Sequence, residues 1–516
     1  MKQDYDFIVV GGGTAGCVIA ARLSEDPAVQ VLLVEAGARE PVQAVPSAWP
    51  TLLGTTADWG DLTVVQRATG TRIYSPRGRG LGGSSSINGL AFVRGHSSSY
   101  DAWVGQGAEG WGFDDLLPYF KRSENIERRD ASLRGRGGPM KVAPVTERNP
   151  LVEACVDAAV ELGYERAADI GSGLETGVGF FDNSIANGAR LSAADAQVYR
   201  LRVHRDRCVG VDYANGNTVT SVDCSREVVL TASAFGSPQL LLLSGIGPGD
   251  HLRELGIDVV LDLPGVGANL HDHVQSSITY RARRPVPLIA CNPTAEALTL
   301  IRSEPTPSIP DLQLLFAATP YHAPELTGPE MGAGYSIVFS AMNPHSRGTL
   351  RLASADPTMP PLVDTNYYGD ERDITTMAKG LEITRSVGES KALSDWRDAE
   401  ALSGPSVADA ANIRNYLFKN LLAYFHYTGT CRIGTDDMAV VDPELRLRGI
   451  SGLRVADASV MPSVPAGNTN ATVYAIGERA ADILKNRYLP RRLGSLRSVE
   501  SKAGPARNPL TRLGSI

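Results

Sequence analysis

Residues 5–10, YDFIVV, are a short apolar run with polar residues at its start only. That is the pattern of a strand buried on both faces, as in a parallel sheet. Gly11, Gly12 and Gly13 interrupt it, and the pattern then becomes helical over 15–24. A second apolar run, QVLLVEAG at 30–37, returns to the strand pattern. Strand, glycine turn, helix and strand together predict a βαβ unit at the start of the chain. Further on, SAFGSPQLLLLSGIG at 233–247 reads as a strand end, a turn and an apolar helix. SIVFSAMNP at 336–344 and the following RGTLRL predict antiparallel strands. The stretch 281–310, rich in Pro, Ala and Thr, predicts a loop near a site entrance. No repeat recurs with a period of 20–50 residues, which excludes solenoids.

The first turn carries chemistry. Gly11-x-Gly13-x-x-Gly16 is the dinucleotide fingerprint, placed between a strand and a helix as its mechanism requires. Gly11 permits the tight turn, Gly13 lets backbone approach a pyrophosphate, and Gly16 lets the helix pack close to the strand. The helix, with Thr14 and Ala15 in its first turn, aims its amides at the phosphates. Glu35, nineteen residues beyond Gly16 and followed by Ala36, stands where an acid accepts hydrogen bonds from ribose hydroxyls. The same charge would repel a 2′-phosphate, which disfavours NADP. The motif alone does not separate FAD from NAD.

Composition narrows the class. The chain has 516 residues, more than one simple core usually spans, so two domains are expected. It is 43% hydrophobic and 21% charged, an ordinary globular balance. A formal net charge of −7 gives no sign of a nucleic-acid partner. The six cysteines are far apart, with no CxxC pair, and read as reduced thiols of a cytoplasmic protein. No secretory signal precedes the first strand, and no run approaches 18 apolar residues, so no transmembrane span is expected.

GRGLGGSSSINGLAFVRG at 78–95 and SAFGSPQLLLLSGIG at 233–247 closely resemble the two signature patterns of the glucose-methanol-choline (GMC) oxidoreductases. GLRVADASVMPSVPAGNTNATVYAIGERAADIL at 452–484 resembles that family's C-terminal flavin segment. The resemblance covers roughly residues 4–486 and is strongest to the bacterial choline-dehydrogenase-like, primary-alcohol-oxidising branch. It implies an α/β fold: a Rossmann-like FAD-binding domain interleaved with an antiparallel-sheet substrate domain. The FAD-binding domain would take residues 1–150, 185–275 and 426–486. The substrate domain would take 151–184 and 276–425, with its strands as a roof over the flavin.

The resemblance also implies FAD contacts at Arg79, Gly82, Gly83, Ser84, Asn88 and Gly89, at Val198 beside the adenine, and at Asp457, Ala458, Asn468 and Thr469. Small residues at 82–86 can lie flat against a flavin ring and its diphosphate. Asn88 can donate to or accept from the ring edge. Asp457 has two readings, a ribityl or phosphate partner and a plain helix cap. Some members attach FAD through a histidine in the glycine-serine loop. That place holds Ile87 here, with His96 several residues on, so non-covalent FAD is expected.

Alcohol oxidation by hydride transfer needs a base for the hydroxyl proton. His426 in YFHYTGTCRIG resembles the family's catalytic histidine, and an imidazole titrating near ~6.5 can accept a proton at working pH. Asn468 in AGNTN, 42 residues on, matches the second active-site place, with Asn470 as the neighbouring candidate. An asparagine cannot be a base but can hold the substrate oxygen. His271 and His273 in NLHDHV have only Asp272 between them and no evident third ligand, so they read as structural loop residues rather than a metal site.

Two features depart from the family. After SAADA at 192–196, Gln197 and Val198 follow directly where a further loop and strand are usual. Either the chain is shortened there or a loop is absent from the sequence. Residues 487–516 form a basic tail with Glu500 as its one acid, read as solvated, with contact to an anionic membrane surface as the lesser alternative.

These observations predict FAD-dependent oxidation of a primary alcohol to its aldehyde. Hydride passes to flavin N5 and electrons to O2 or a quinone-like acceptor. Tyr424, Phe425 and Tyr427 around the base favour a moderately apolar or aromatic primary alcohol over a bare sugar, and an aromatic or heteroaromatic one is the finer expectation. The rival readings are a cyanohydrin-cleaving lyase with non-redox FAD and a flavin-binding protein without turnover.

Overall fold

The computed structural model describes residues 5–38, 45–145, 147–184, 197–215, 218–305 and 308–489. The stretch 185–196 before Gln197 and the tail beyond Leu489 lie outside the described residues.

The chain starts with β1 (Tyr5–Val10), α1 (Thr14–Leu23) and β2 (Val31–Val34). After a segment that holds the helices Ser97–Gly105, Phe113–Ser123 and Pro150–Glu161 come β3 (Gly177–Phe180), β4 (Gln197–His204), β5 (Arg207–Asn215), β6 (Thr218–Leu230) and α2 (Ser233–Leu243). Then follow β7 (Val274–Ala282), β8 (Ala295–Ile301), β9 (Leu312–Ala317), β10 (Gly334–Ala341), α3 (Glu371–Glu389), β11 (Arg397–Leu402) and β12 (Leu422–Ala423). β13 (Leu453–Val455) and α4 (Thr469–Tyr488) close the described chain.

Two sheets organise the molecule. In the first, β2, β1, β6 and β13 run parallel, with Phe7 opposite Val31, Val9 opposite Val229 and Leu230 opposite Val455. The long β6 leaves this sheet at its N-terminal half and pairs antiparallel with β5, which pairs with β4. Phe7, Ile8 and Val9 are fully buried, as the unbroken apolar run predicts, and α1 and α4 pack together on the sheet. The second sheet is antiparallel in the order β11-β7-β10-β9-β8-β3, with β12 against β7. Every residue of β8 and β10 is buried, and α3 packs across β10.

Three local expectations are corrected. The helix in 233–247 starts at Ser233, not after a strand and turn: Asp457 receives the Ser233 amide, and the Ala234 carbonyl, which Pro238 inside the helix cannot meet with an N–H, accepts from Thr430 Oγ1 at 2.7 Å. The stretch 281–310 holds the expected loop, over 283–294, and more. It contains the buried strand β8, whose partners β3 and β9 impose pairing that its composition does not advertise. RGTLRL does form a strand over Thr349–Arg351, but it pairs with Leu362–Asp364 outside the roof sheet.

Candidate active site

A cavity of about 430 Å³ lies between the ends of the parallel strands and the antiparallel sheet. This is within the range of ligand clefts. Its wall includes Gly11, Gly13, Thr14, Ala15, Glu35, Ala36, Gly83, Ser84, Asn88, Gly89, Val198, Asp457, Ala458, Asn468, Thr469 and His426. Three of the residues predicted to touch the cofactor lie off this wall: Gly16, Gly82 and Arg79.

Gly16 acts behind the loop. A Cβ there would stand 1.9 Å from the Gly11 carbonyl oxygen. The Arg79 guanidinium instead lies over the Trp59 ring, at 5.2 Å from its centroid. Arg77 takes the place on the wall. It pairs with Asp61 at 2.9 Å and sits over Trp59 at 4.7 Å and Phe235 at 5.5 Å. The sequence reading missed Arg77. In PRGRG, which arginine faces the cavity is decided by the turn of the intervening backbone.

The two glycine loops touch. Gly82 N–H donates to the Gly12 carbonyl at 2.8 Å, and a Cβ on Gly83, at φ +53, would stand 2.9 Å from Gly13 Cα. A single carboxylate ties them. Glu35 accepts from Gly12 N at 2.7 Å, Gly80 N at 2.9 Å and Gly37 N at 3.0 Å. Burial raises its pKa against the lowering effect of these amides. The acid predicted to meet ribose therefore also braces the loops. Asp457 likewise accepts from Ser237 Oγ at 2.5 Å, Ser459 N at 2.8 Å and Ser233 N at 2.9 Å, so of its two readings the capping role is the one with partners in the protein. Asn88 Oδ1 accepts from Leu90 N at 3.0 Å.

This half fits a dinucleotide. The N-termini of α1, α2 and α4 all reach the cavity, and the N-caps of α1 and α4, Gly13 and Asn468, make no side-chain cap bond. Uncapped amides with helix dipoles behind them suit a diphosphate. Asn468 Oδ1 and Asn470 Nδ2 are buried and have no hydrogen-bond partner among the described residues.

At the other end His426 is buried, with 8% exposure. Its Nε2 lies 3.4 Å from Asn468 Nδ2 on the cavity wall, so the two predicted catalytic residues meet. Its ring stacks on Tyr424 with centroids 4.1 Å apart and a 25° tilt. Its Nδ1 is 2.9 Å from Nδ1 of His273, whose ring meets it edge-on at 85°. Burial first, and the neighbouring His273 second, hold His426 well below the ordinary imidazole value, so the ring is neutral at neutral pH.

Asp272 accepts from His426 N at 2.7 Å, Tyr367 Oη at 2.7 Å and Tyr424 N at 3.1 Å. It thus clamps the backbone on both sides of Phe425, which has φ +64. Burial pushes the Asp272 carboxyl up to about 7 against the pull of these donors.

The sequence predicts a purely structural loop at NLHDHV. His271 fits that reading: Nδ1 pairs with the Asn269 carbonyl at 2.6 Å and Nε2 accepts from Val464 N at 2.8 Å. Asp272, which holds the backbone around His426, and His273, which meets the His426 ring, tie this loop to the site. Alternation along the chain puts residues two apart on one side of a strand, but no local signal pairs residue 273 with residue 426. Among the described residues no cluster of His, Cys, Asp or Glu is arranged to hold a metal, and no helix is long and apolar enough to cross a membrane.

A parallel dinucleotide-binding sheet, roofed by an antiparallel sheet and opening on a neutral buried imidazole, defines a cofactor-dependent oxidoreductase. The chain belongs to the GMC oxidoreductase family. The family's N-terminal domain matches residues 5–275 and its C-terminal domain residues 344–477. The protein is therefore an FAD-dependent alcohol oxidoreductase. It is 35% identical to an oxygen-dependent choline dehydrogenase of Rhizobium rhizogenes over 98% of each chain. It is 37% identical to an uncharacterized GMC-type oxidoreductase of Mycobacterium tuberculosis, covering 94% of this chain and all of that one. Among solved structures it resembles pyridoxine 4-oxidase from Mesorbium loti, with TM-score 0.90 and 33% identity over 94% of this chain and 99% of that one. It also resembles formate oxidase from Aspergillus oryzae, with TM-score 0.88 and 26% identity over 95% and 99%.

Proposed function

We propose that this enzyme oxidises an uncharged primary alcohol with an aromatic or heteroaromatic body to its aldehyde. The observation that carries this reading is the buried His426–Asn468 pair at a cavity whose carboxylates are all engaged. Among the described residues the acids on the wall are Glu35, Asp61 and Asp457. Glu35 and Asp457 are held by backbone amides and hydroxyls, and Asp61 by Arg77. None is free to balance the quaternary ammonium of choline, despite the name of the bacterial relative. Trp49, Phe181, Tyr321, Tyr424 and Phe425 supply aromatic surface instead.

In this reading His426 Nε2 takes the hydroxyl proton as the carbon-bound hydride leaves, and the Asn468 side-chain amide donates to the substrate oxygen. FAD, when bound, supplies the hydride acceptor at N5 and passes electrons to O2 or a quinone-like acceptor. Residues 1–150, 185–275 and 426–486 hold it, and 151–184 and 276–425 form the substrate side. The cofactor is non-covalent: Ile87 occupies the linking place, and His96 Nδ1 is taken up with Ser98 at the start of the helix Ser97–Gly105. A cytoplasmic location suits six unpaired thiols.

The test is anaerobic mixing of the yellow protein with a panel of aromatic, heteroaromatic, aliphatic, sugar and choline alcohols, followed by flavin absorbance. Bleaching by aromatic members, slowed about 10²–10⁴-fold in His426→Ala, is the expected result. Bleaching by choline alone overturns the substrate class, and unchanged bleaching in His426→Ala overturns the base.

A further inference from the structure

Two imidazoles that face each other through Nδ1 at 2.9 Å cannot both present a lone pair there, nor both a proton. One Nδ1–H donates and the other accepts, which leaves two arrangements. If His273 donates, the His426 proton sits on Nε2 and the atom facing Asn468 has no lone pair. If His426 donates, its Nε2 is free, and the His273 proton lies on its own Nε2. That second nitrogen decides between them. His273 Nε2 is buried without a partner in hydrogen-bond geometry among the described residues, and the backbone of Met342 is the polar group that favours a proton on this ring. Among the described residues no donor meets a bare lone pair there, and the Met342 backbone contact raises the ring's affinity for a proton, so the N–H is assigned to Nε2. The Asn468 Nδ2 contact at 3.4 Å also favours an unprotonated Nε2 on His426.

We propose that His273 is a positioning residue that accepts the Nδ1 proton of His426 and so holds the lone pair of His426 Nε2 toward Asn468 and the cavity. This rests on the reading of His426 as the base. His273 itself touches neither substrate nor cofactor: it is fully buried, lies just before the start of β7 and is absent from the cavity wall. The ionisable groups packed around the pair are Asp272, Tyr424 and His271. Asp272 is engaged by the backbone of 424–426, Tyr424 by Gln313, and His271 at both nitrogens. Among the described residues no other side chain is in hydrogen-bond contact with His426 Nδ1, so the selection falls to His273.

The wild-type holoenzyme tests this directly. Nitrogen NMR of protein labelled with ¹⁵N-histidine, with His426 assigned by its loss in His426→Asn, is expected to show His426 as the Nδ1–H tautomer. An Nε2–H tautomer overturns the proposal, whatever the activity. Two variants extend the test. His273→Leu removes the acceptor, and anaerobic flavin reduction is expected to slow about 10–100-fold, as when an orienting partner of a histidine is lost, with the concentration of alcohol giving half the maximal rate little changed. His273→Asn puts an amide oxygen near the place of Nδ1 and is expected to recover most of the rate. It is also expected to shift the limb of the pH–rate profile that reports His426 toward higher pH, since a neighbouring ring that lowers the His426 pKa is gone. Equal loss in both variants with FAD content intact, or no loss in either, overturns the proposal. Loss in His426→Ala with unchanged wild-type tautomer keeps the two readings separate.

Discussion

Replacing Asp272 by asparagine should change how stability depends on pH in a direction the structure fixes. Burial pushes the Asp272 carboxyl from 3.8 to about 7. An acid raised on folding favours the fold in its protonated form. Its contribution is complete below the unfolded value and is lost as pH rises through the folded one. At about 1.4 kcal/mol per unit the whole span is about 4 kcal/mol, of which about 3 kcal/mol falls between pH 5 and pH 8. The substituted amide would not titrate, so this part disappears from the variant. The variant also leaves one of the donors facing Asp272, the His426 or Tyr424 amide, without its acceptor, at about 1–3 kcal/mol. That cost is the same at both pH values and cancels from the comparison. Urea unfolding of the FAD-loaded wild type and Asp272→Asn at pH 5 and pH 8 is the assay. The stability of the wild type minus that of the variant should fall by about 3 kcal/mol on going to pH 8. A difference that stays flat to within about 0.5 kcal/mol would show that Asp272 is already ionised at pH 5, its burial offset by its donors.

Gly16→Ala drives a methyl against the Gly11 carbonyl at 1.9 Å and the Thr231 hydroxyl at 2.7 Å. It should shift the fingerprint loop and release FAD, read as a lower flavin-to-protein absorbance ratio after gel filtration, and an unchanged ratio would contradict it. Tyr424→Phe keeps the ring stacked on His426 but removes the hydroxyl that donates to Gln313 Oε1 at 2.5 Å. It should cost about 1–3 kcal/mol in urea unfolding while flavin reduction stays within about threefold, whereas Tyr424→Ala should slow reduction as well.

The parts legible in the sequence are those whose causes are local. β1, the glycine turn and α1 follow from apolar periodicity and from the glycine spacing of the fingerprint, and they stand within a residue or so of the predicted bounds. The meeting of His426 with Asn468 was also readable, but through resemblance to a family motif rather than through spacing alone. What was not readable depends on partners far along the chain. β8 lies among prolines and threonines and becomes a buried strand because β3 and β9 flank it. His273 acquires its role from a residue 153 positions away. Arg77 and Arg79 are equivalent as letters in PRGRG and both stand over Trp59, and only the path of the backbone puts Arg77 on the cavity wall.

The three carboxylates that matter most here share one physical task. Glu35 gathers amides from Gly12, Gly37 and Gly80, Asp457 from Ser233 and Ser459, and Asp272 from Tyr424 and His426. Each joins loops that are remote in sequence, and each is pulled upward in pKa by burial. Buried acids that face backbone donors are acceptable only because those donors satisfy them, so they lend rigidity to the loops and little charge to a ligand. The histidine pair is then left as the polar device at the substrate end able to take a proton: Asp272 is committed to the backbone around it, and Tyr424, whose pKa burial raises above its ordinary value, holds its own. A site built this way rewards an alcohol that brings no charge of its own. A cationic substrate would have to be stabilised by aromatic faces alone, and an anionic one would find Arg77 already paired with Asp61. The proposed substrate charge and the proposed tautomer of His426 thus rest on one arrangement, in which the protein engages its buried carboxylates itself.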